Sequence, residues 1–219
     1  MPKYKNARKM SFMQKNKKLI LYIICIILLF SIVILWQKSA YSPNFLQEIA
    51  GVSGVDEKPV SQDDIDSYTV SADKPRILII PKINLKARIF EVGLTADNAV
   101  DTTKGIYDVG WYTGSSIPGQ NGAAFLDGHV SGPNNEGIFY GLKKLNIGDE
   151  IAVEMGDGKK YTFVVQKTEE QKLEEVDMAK VLQPIDQNNP GLNLMTCSGK
   201  FNKAEDTFAN RYIVYSVLK

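Results

Sequence analysis

Glu150-Ile151-Ala152-Val153-Glu154-Met155-Gly156-Asp157-Gly158-Lys159-Lys160-Tyr161-Thr162-Phe163-Val164-Val165-Gln166-Lys167 is two strand-like runs around a tight turn. Alternating β-branched and aromatic residues on either side of Gly-Asp-Gly predict a β-hairpin. Outward from it the punctuation repeats. An apolar run at 77–80 stops at Pro81, and another at 87–92 stops at Gly93. Further runs lie at 123–126, 192–196 and 212–218. Seven or eight short strands between residues 76 and 219 predict an all-β domain, a closed barrel or a sandwich, with chain enough for one core. One helix is expected at about 174–182 and a helical turn near 137–142. The connection 168–190 is longer than ordinary loops and is expected to wall a cleft.

Residues 1–18 carry seven bases and no acid, and residues 19–36 form an apolar run interrupted only by Tyr22, Cys25 and Ser31. As a helix that run is roughly 27 Å long, close to the hydrocarbon thickness of a bilayer. It ends at Trp36, an interfacial anchor, and its length argues against a cleaved signal peptide. Residues 1–18 are therefore expected to be a cytoplasmic tip and 19–36 a single-pass transmembrane anchor. Residues 37–75, rich in Ser, Pro, Gly and Asp, are expected to form an extracellular stalk, with the β-domain at 76–219 outside the cell membrane. Of 26 bases and 25 acids, the exterior keeps 19 bases against 25 acids. That acidic balance argues against nucleic acid as a partner.

The chain has one histidine, His129, and one cysteine beyond the apolar run, Cys197. Cys25 and Cys197 are expected on different sides of the membrane surface and cannot pair in one chain. One His and one Cys do not make a usual zinc set, and no metal or cofactor is expected. Arg211 opens the last apolar run, and each of the three residues is expected at the end of a strand. Thiol, imidazole and guanidinium together suit acyl transfer through a thioester: a nucleophile, a proton shuttle and an oxyanion partner. A buried structural cysteine, a satisfied histidine and a surface arginine are the plainer alternatives.

From about residue 76 to 219 the chain resembles a sortase, the membrane-anchored transpeptidase of Gram-positive cell surfaces. The resemblance rests on Arg76-Ile77-Leu78-Ile79-Ile80-Pro81-Lys82-Ile83, Gly110-Trp111-Tyr112, Gly128-His129-Val130, Gly148-Asp149, Leu194-Met195-Thr196-Cys197 and Asn210-Arg211-Tyr212, in that order. Gly110-Trp111-Tyr112 and Thr196-Cys197-Ser198-Gly199 are most similar to the class F branch. The resemblance implies a closed eight-stranded sortase-like β-barrel with one or two short helices, and Cys197, His129 and Arg211 as catalytic residues. It implies surface proteins bearing a C-terminal sorting signal as substrates, commonly Leu-Pro-X-Thr-Gly cut between Thr and Gly. The acceptor it implies is an amine on a peptidoglycan precursor or a pilin.

A Leu-Pro segment needs an apolar groove, for which Val176, Val181 and Leu182 are candidates, together with Met178. Thr196 is expected beside the oxyanion. Asp127 shares the face of His129 on a regular strand and is expected to be a solvated carboxylate. Glu169, Glu170, Glu174 and Glu175 are expected on a charged helix surface. Trp111 and Tyr112 are not placed by sequence. An L,D-transpeptidase is disfavoured, because its His lies close before its Cys and here His129 is 68 residues upstream. A hydrolytic cysteine peptidase would use the same site. A non-catalytic surface-anchored binding module would need none of the three residues together.

Overall fold

The computed structural model describes residues 54–205 and 207–219. The expected tip and anchor at 1–36 lie outside the described residues, as does the expected stalk up to residue 53. Among the described residues no helix is long and apolar enough to cross a membrane.

Eight strands close into a barrel: β1 (Pro75–Ile80), β2 (Leu85–Val92), β3 (Val109–Tyr112), β4 (Ala123–Gly128), β5 (Glu150–Met155), β6 (Lys160–Lys172), β7 (Gly191–Asn202) and β8 (Thr207–Leu218). The order around the barrel is β1-β2-β3-β4-β7-β8-β6-β5. The β2–β3 and β4–β7 pairs are parallel and the rest antiparallel. Closure leaves no open sheet edge. Alternate residues of every strand, among them Leu78, Ala87, Leu126, Val153, Phe163, Leu194 and Val214, fill the interior. The expected β5–β6 hairpin forms, with Ile151 opposite Phe163 and Glu154 opposite Lys160. Gly158 takes φ +85° at its turn, a conformation that glycine adopts without strain.

Several sequence expectations need correction. β3 was not foreseen: Val109-Gly110-Trp111-Tyr112 is short, and it becomes a strand by parallel pairing with β2, a non-local cause. β6, β7 and β8 outrun their apolar cores, because each continues to hydrogen-bond to its neighbour. Cys197 and Arg211 therefore lie inside strands, not at their ends. The helix expected at 174–182 is a 3-10 turn (Leu173–Glu175) followed by the short helix α2 (Met178–Val181). Asp177 divides them: its backbone is extended and its side chain caps Ala179. The turn near 137–142 runs into a 3-10 helix at Leu142–Lys144.

The described end of the expected stalk is part of the domain. Residues 55–219 form one compact unit. A short helix, α1 (Gln62–Ser67), is closed by a Ser61–Asp64 capping box and buries Ile65. Tyr68 donates from its hydroxyl to the Ile89 carbonyl at 2.8 Å, and Arg76 donates to the Tyr68 carbonyl at 2.8 Å. Asp56 bridges to Gly105, and Glu57 accepts hydrogen bonds from both backbone and side chain of Asn134.

Candidate active site

The site is built on the outer face of β4, β7 and β8. In the parallel β4–β7 pair Asp127 lies opposite Met195, and in the antiparallel β7–β8 pair Met195 lies opposite Ile213 and Cys197 opposite Arg211. Carrying the β4–β7 register two residues further sets His129 opposite Cys197. His129, Cys197 and Arg211 thus form one row across three strands, with Asp127, Met195 and Ile213 in the row beneath. The two rows are roughly 7 Å apart along the strands. The face is covered by Val176, Met178 and Leu182 from the β6–β7 connection and by Val100 and Tyr112, which pack on Phe125, Met195 and Ile213.

Between these coverings lies a cleft of about 480 Å³. Cys197, His129, Arg211 and Asp127 line its polar part, and Val176, Leu182, Met178, Leu94 and Leu173 its apolar part. The structure therefore brings together all three expected catalytic residues and two of the four expected substrate contacts. The other two face elsewhere. Val181 is 1% exposed and packs with Phe125 in the cluster beneath the connection. Thr196 is also buried, because it alternates with Cys197 and points to the inner face. Its hydroxyl donates to the Gly128 carbonyl at 2.7 Å, tying the residue before Cys197 to the residue before His129.

Each of the three side chains is held. His129 Nε2 lies 2.7 Å from the Thr103 carbonyl, which can only accept, so Nε2 carries a proton and Nδ1 is the nitrogen left to exchange one. The His129 carbonyl accepts from Phe139 N–H at 2.9 Å, fixing the backbone too. Arg211 donates from Nη1 to the carbonyls of Phe208 and Asn210 at 3.1 and 3.0 Å, and from Nη2 to the Thr207 hydroxyl at 3.3 Å. Three of its five N–H donors are thus engaged within β8, which leaves Nε–H and one Nη2–H. Cys197 is a free thiol, partly exposed. Burial pushes its pKa up, the nearby Arg211 charge pulls it back, and Asp127 adds to the rise.

Asp127 is partly exposed on the cleft wall. Partial desolvation pushes its pKa up against the opposing effects of the Thr102 hydroxyl and the charges of His129 and Arg211. Glu169 and Glu170 lie on β6, not on a helix. One oxygen of Glu170 accepts from Lys143 Nζ at 2.9 Å, Ser198 Oγ at 2.8 Å and Asn210 Nδ2 at 3.2 Å. These bonds hold its pKa down at about 2. Ser198 and Asn210 are partners flanking the Cys197–Arg211 pair, so Glu170 clamps the hairpin from the opposite face. Glu174 and Glu175 lie near Lys172. Among the described residues no group of three or more potential metal ligands gathers.

Sequence reasoning missed Met195, Leu94, Val100, Leu173, Thr103 and Tyr112. Strand parity from Cys197 points to Met195. Leu94, Val100, Leu173 and Tyr112 reach the cleft through loops or through β3, for which no local signal exists, and Thr103 enters only through its carbonyl's bond to His129.

The sequence model of the sortase domain matches residues 78–219. No curated protein sequence matches the chain significantly. Among solved structures, the lid mutant of Streptococcus agalactiae sortase C1 is 22% identical with TM-score 0.51, covering 73% of this chain and 76% of its own. The SrtA sortase of Actinomyces oris is 24% identical with TM-score 0.50, covering 76% and 88%. Streptococcus pneumoniae sortase C is 18% identical with TM-score 0.50, covering 74% of each. At these identities the likeness is one of fold.

Proposed function

The chain belongs to the sortase family of cysteine transpeptidases, and we propose that it cleaves a Leu-Pro-X-Thr-Gly-type sorting signal between Thr and Gly and transfers the acyl product to an amine. The observation that carries this is the row His129, Cys197 and Arg211 across β4, β7 and β8, opening into one half-apolar cleft. The sulfur of Cys197, as thiolate, attacks the Thr carbonyl, forming a C–S bond and an oxyanion. The two uncommitted N–H groups of Arg211 donate to that oxyanion, and the guanidinium keeps its charge throughout. His129 gives a proton to the departing Gly nitrogen as the C–N bond breaks, leaving a thioester on Cys197. An incoming amine then reverses these roles. Val176, Leu182, Leu94 and Leu173 suit the Leu-Pro part of the signal.

The seven bases followed by the apolar run at 19–36 support a single-pass anchor with the catalytic domain outside the cell membrane. An amine of a peptidoglycan precursor or a pilin is the acceptor that placement suits. Gly110-Trp111-Tyr112 and Thr196-Cys197-Ser198-Gly199 support the class F branch.

The test is incubation with a Leu-Pro-X-Thr-Gly peptide library, with and without triglycine, read by mass spectrometry against Cys197→Ala. Cys197-dependent Thr–Gly cleavage with transfer is the expected result. Cleavage to the acid alone in the presence of acceptors would make the protein a peptidase. The absence of any Cys197 adduct would leave the binding-module reading.

A further inference from the structure

Asp127 has no part in the acyl-transfer steps above, yet it lies in the same cleft. Strand alternation aims it outward with Cys197, in the row beneath His129. Among the described residues lining the cleft it is the only acid. The charges nearest it are those of His129 and Arg211, and Arg211 has committed three donors to Phe208, Asn210 and Thr207. Of the neutral side chains near it, the Thr102 hydroxyl favours its ionised form. A partly desolvated carboxyl with one neutral neighbour is poorly compensated as an anion. A cation entering the cleft would compensate it.

We propose that Asp127 is the docking carboxylate for the acceptor, binding a primary alkylammonium beside the Cys197 thioester. The inference rests on the transpeptidase reading and names a subsite within it. A primary amine is protonated at neutral pH and is not a nucleophile until it loses a proton. Held by Asp127, its nitrogen lies within one strand-row of both His129 and Cys197. The ammonium gives one proton to Nδ1 of His129, and the amine attacks the thioester carbonyl. A C–N bond forms, the C–S bond breaks, and a second N–H proton neutralises the departing Cys197 sulfur. The products are an amide, a thiol and an imidazolium, which returns its proton to water. The raised pKa of Asp127 fits this, since an arriving cation restores the ionised form.

The test uses the full chain in detergent with a cleavable sorting peptide and two competing nucleophiles: triglycinamide, charged at neutral pH, and hydroxylamine, uncharged there. Both attack the same thioester, so their product ratio does not depend on how fast that thioester forms. Asp127→Asn is expected to lower the triglycinamide-to-hydroxylamine ratio about tenfold, which corresponds to roughly 1.4 kcal/mol. Asp127→Glu, which keeps the charge, is expected to restore most of it. Intact-mass detection of the Cys197 thioester verifies that each variant is folded and acylated. A ratio unchanged in Asp127→Asn, including equal slowing of both nucleophiles, overturns the proposal and leaves Asp127 as a support for His129. Absence of the thioester in the wild-type chain overturns the transpeptidase reading and this inference with it.

Discussion

Replacing Thr196 by Val removes one hydroxyl and keeps the volume of the side chain. That hydroxyl donates to the Gly128 carbonyl at 2.7 Å, and both residues are buried. A buried carbonyl stripped of a partner costs about 1–3 kcal/mol. The methyl that replaces the hydroxyl is better suited to the interior and returns roughly 0.8 kcal/mol. The net expectation is a loss of about 1 kcal/mol, or a fall in Tm of about 2–4 °C for a domain of this size. Urea unfolding of residues 55–219 measures it, with the slope unchanged if only stability has moved. Activity should fall further than stability. Thr196 and Gly128 immediately precede Cys197 and His129, and this bond fixes the spacing of the two strands at that level. A displacement of about 1 Å between reacting groups costs on the order of a hundredfold. The expected result is a kcat reduced about tenfold to a hundredfold, with the peptide KM near the wild-type value. A variant as stable and as fast as wild type would refute the bond as a spacer. Lost stability with unchanged kcat would leave it a stabilising bond only.

Arg211→Ala is expected to lower kcat about a hundredfold to a thousandfold, equivalent to about 2.7–4 kcal/mol of transition-state stabilisation. A rise in peptide KM alone would mean that Arg211 binds the ground state instead. Alkylation of Cys197 by iodoacetamide should accelerate with pH beyond the ordinary thiol range of about 8.5, because burial raises its pKa. Arg211→Ala should move the inflection higher and Asp127→Asn lower, since the cation favours the thiolate and the carboxylate opposes it; the reverse order would contradict the electrostatics described. Glu170 has a folded pKa depressed to about 2 from 4.5. Its stabilising effect is present above the unfolded value and is lost as pH falls from near 4.5 through about 2. Glu170→Gln should therefore be less stable than wild type at neutral pH, with the gap closing across that window in thermal melts; a gap independent of pH would show that the charge is not responsible.

The amino-acid sequence alone carried the all-β class, the β5–β6 hairpin and the three residues that line the candidate site. Those are local properties: alternating apolar residues, Gly-Asp-Gly between them, and a single histidine with one cysteine beyond the apolar run. Residues 78 and 192, or 125 and 213, announce in the same way that they belong to a strand. Which strand lies beside which is a different kind of fact. The parallel pairing of β4 with β7 and the antiparallel pairing of β7 with β8 set His129, Cys197 and Arg211 in one row, and neither is written near any of the three. Tertiary structure also decided that Thr196 and Val181 face away from the cleft, that Leu94 and Leu173 border it, and that residues 55–75 belong to the domain. Above all it decided the state of Asp127. A carboxylate two residues before a histidine is ordinary in sequence, and only the folding of other segments around it makes it a partly desolvated acid on the wall of the cleft that holds Cys197.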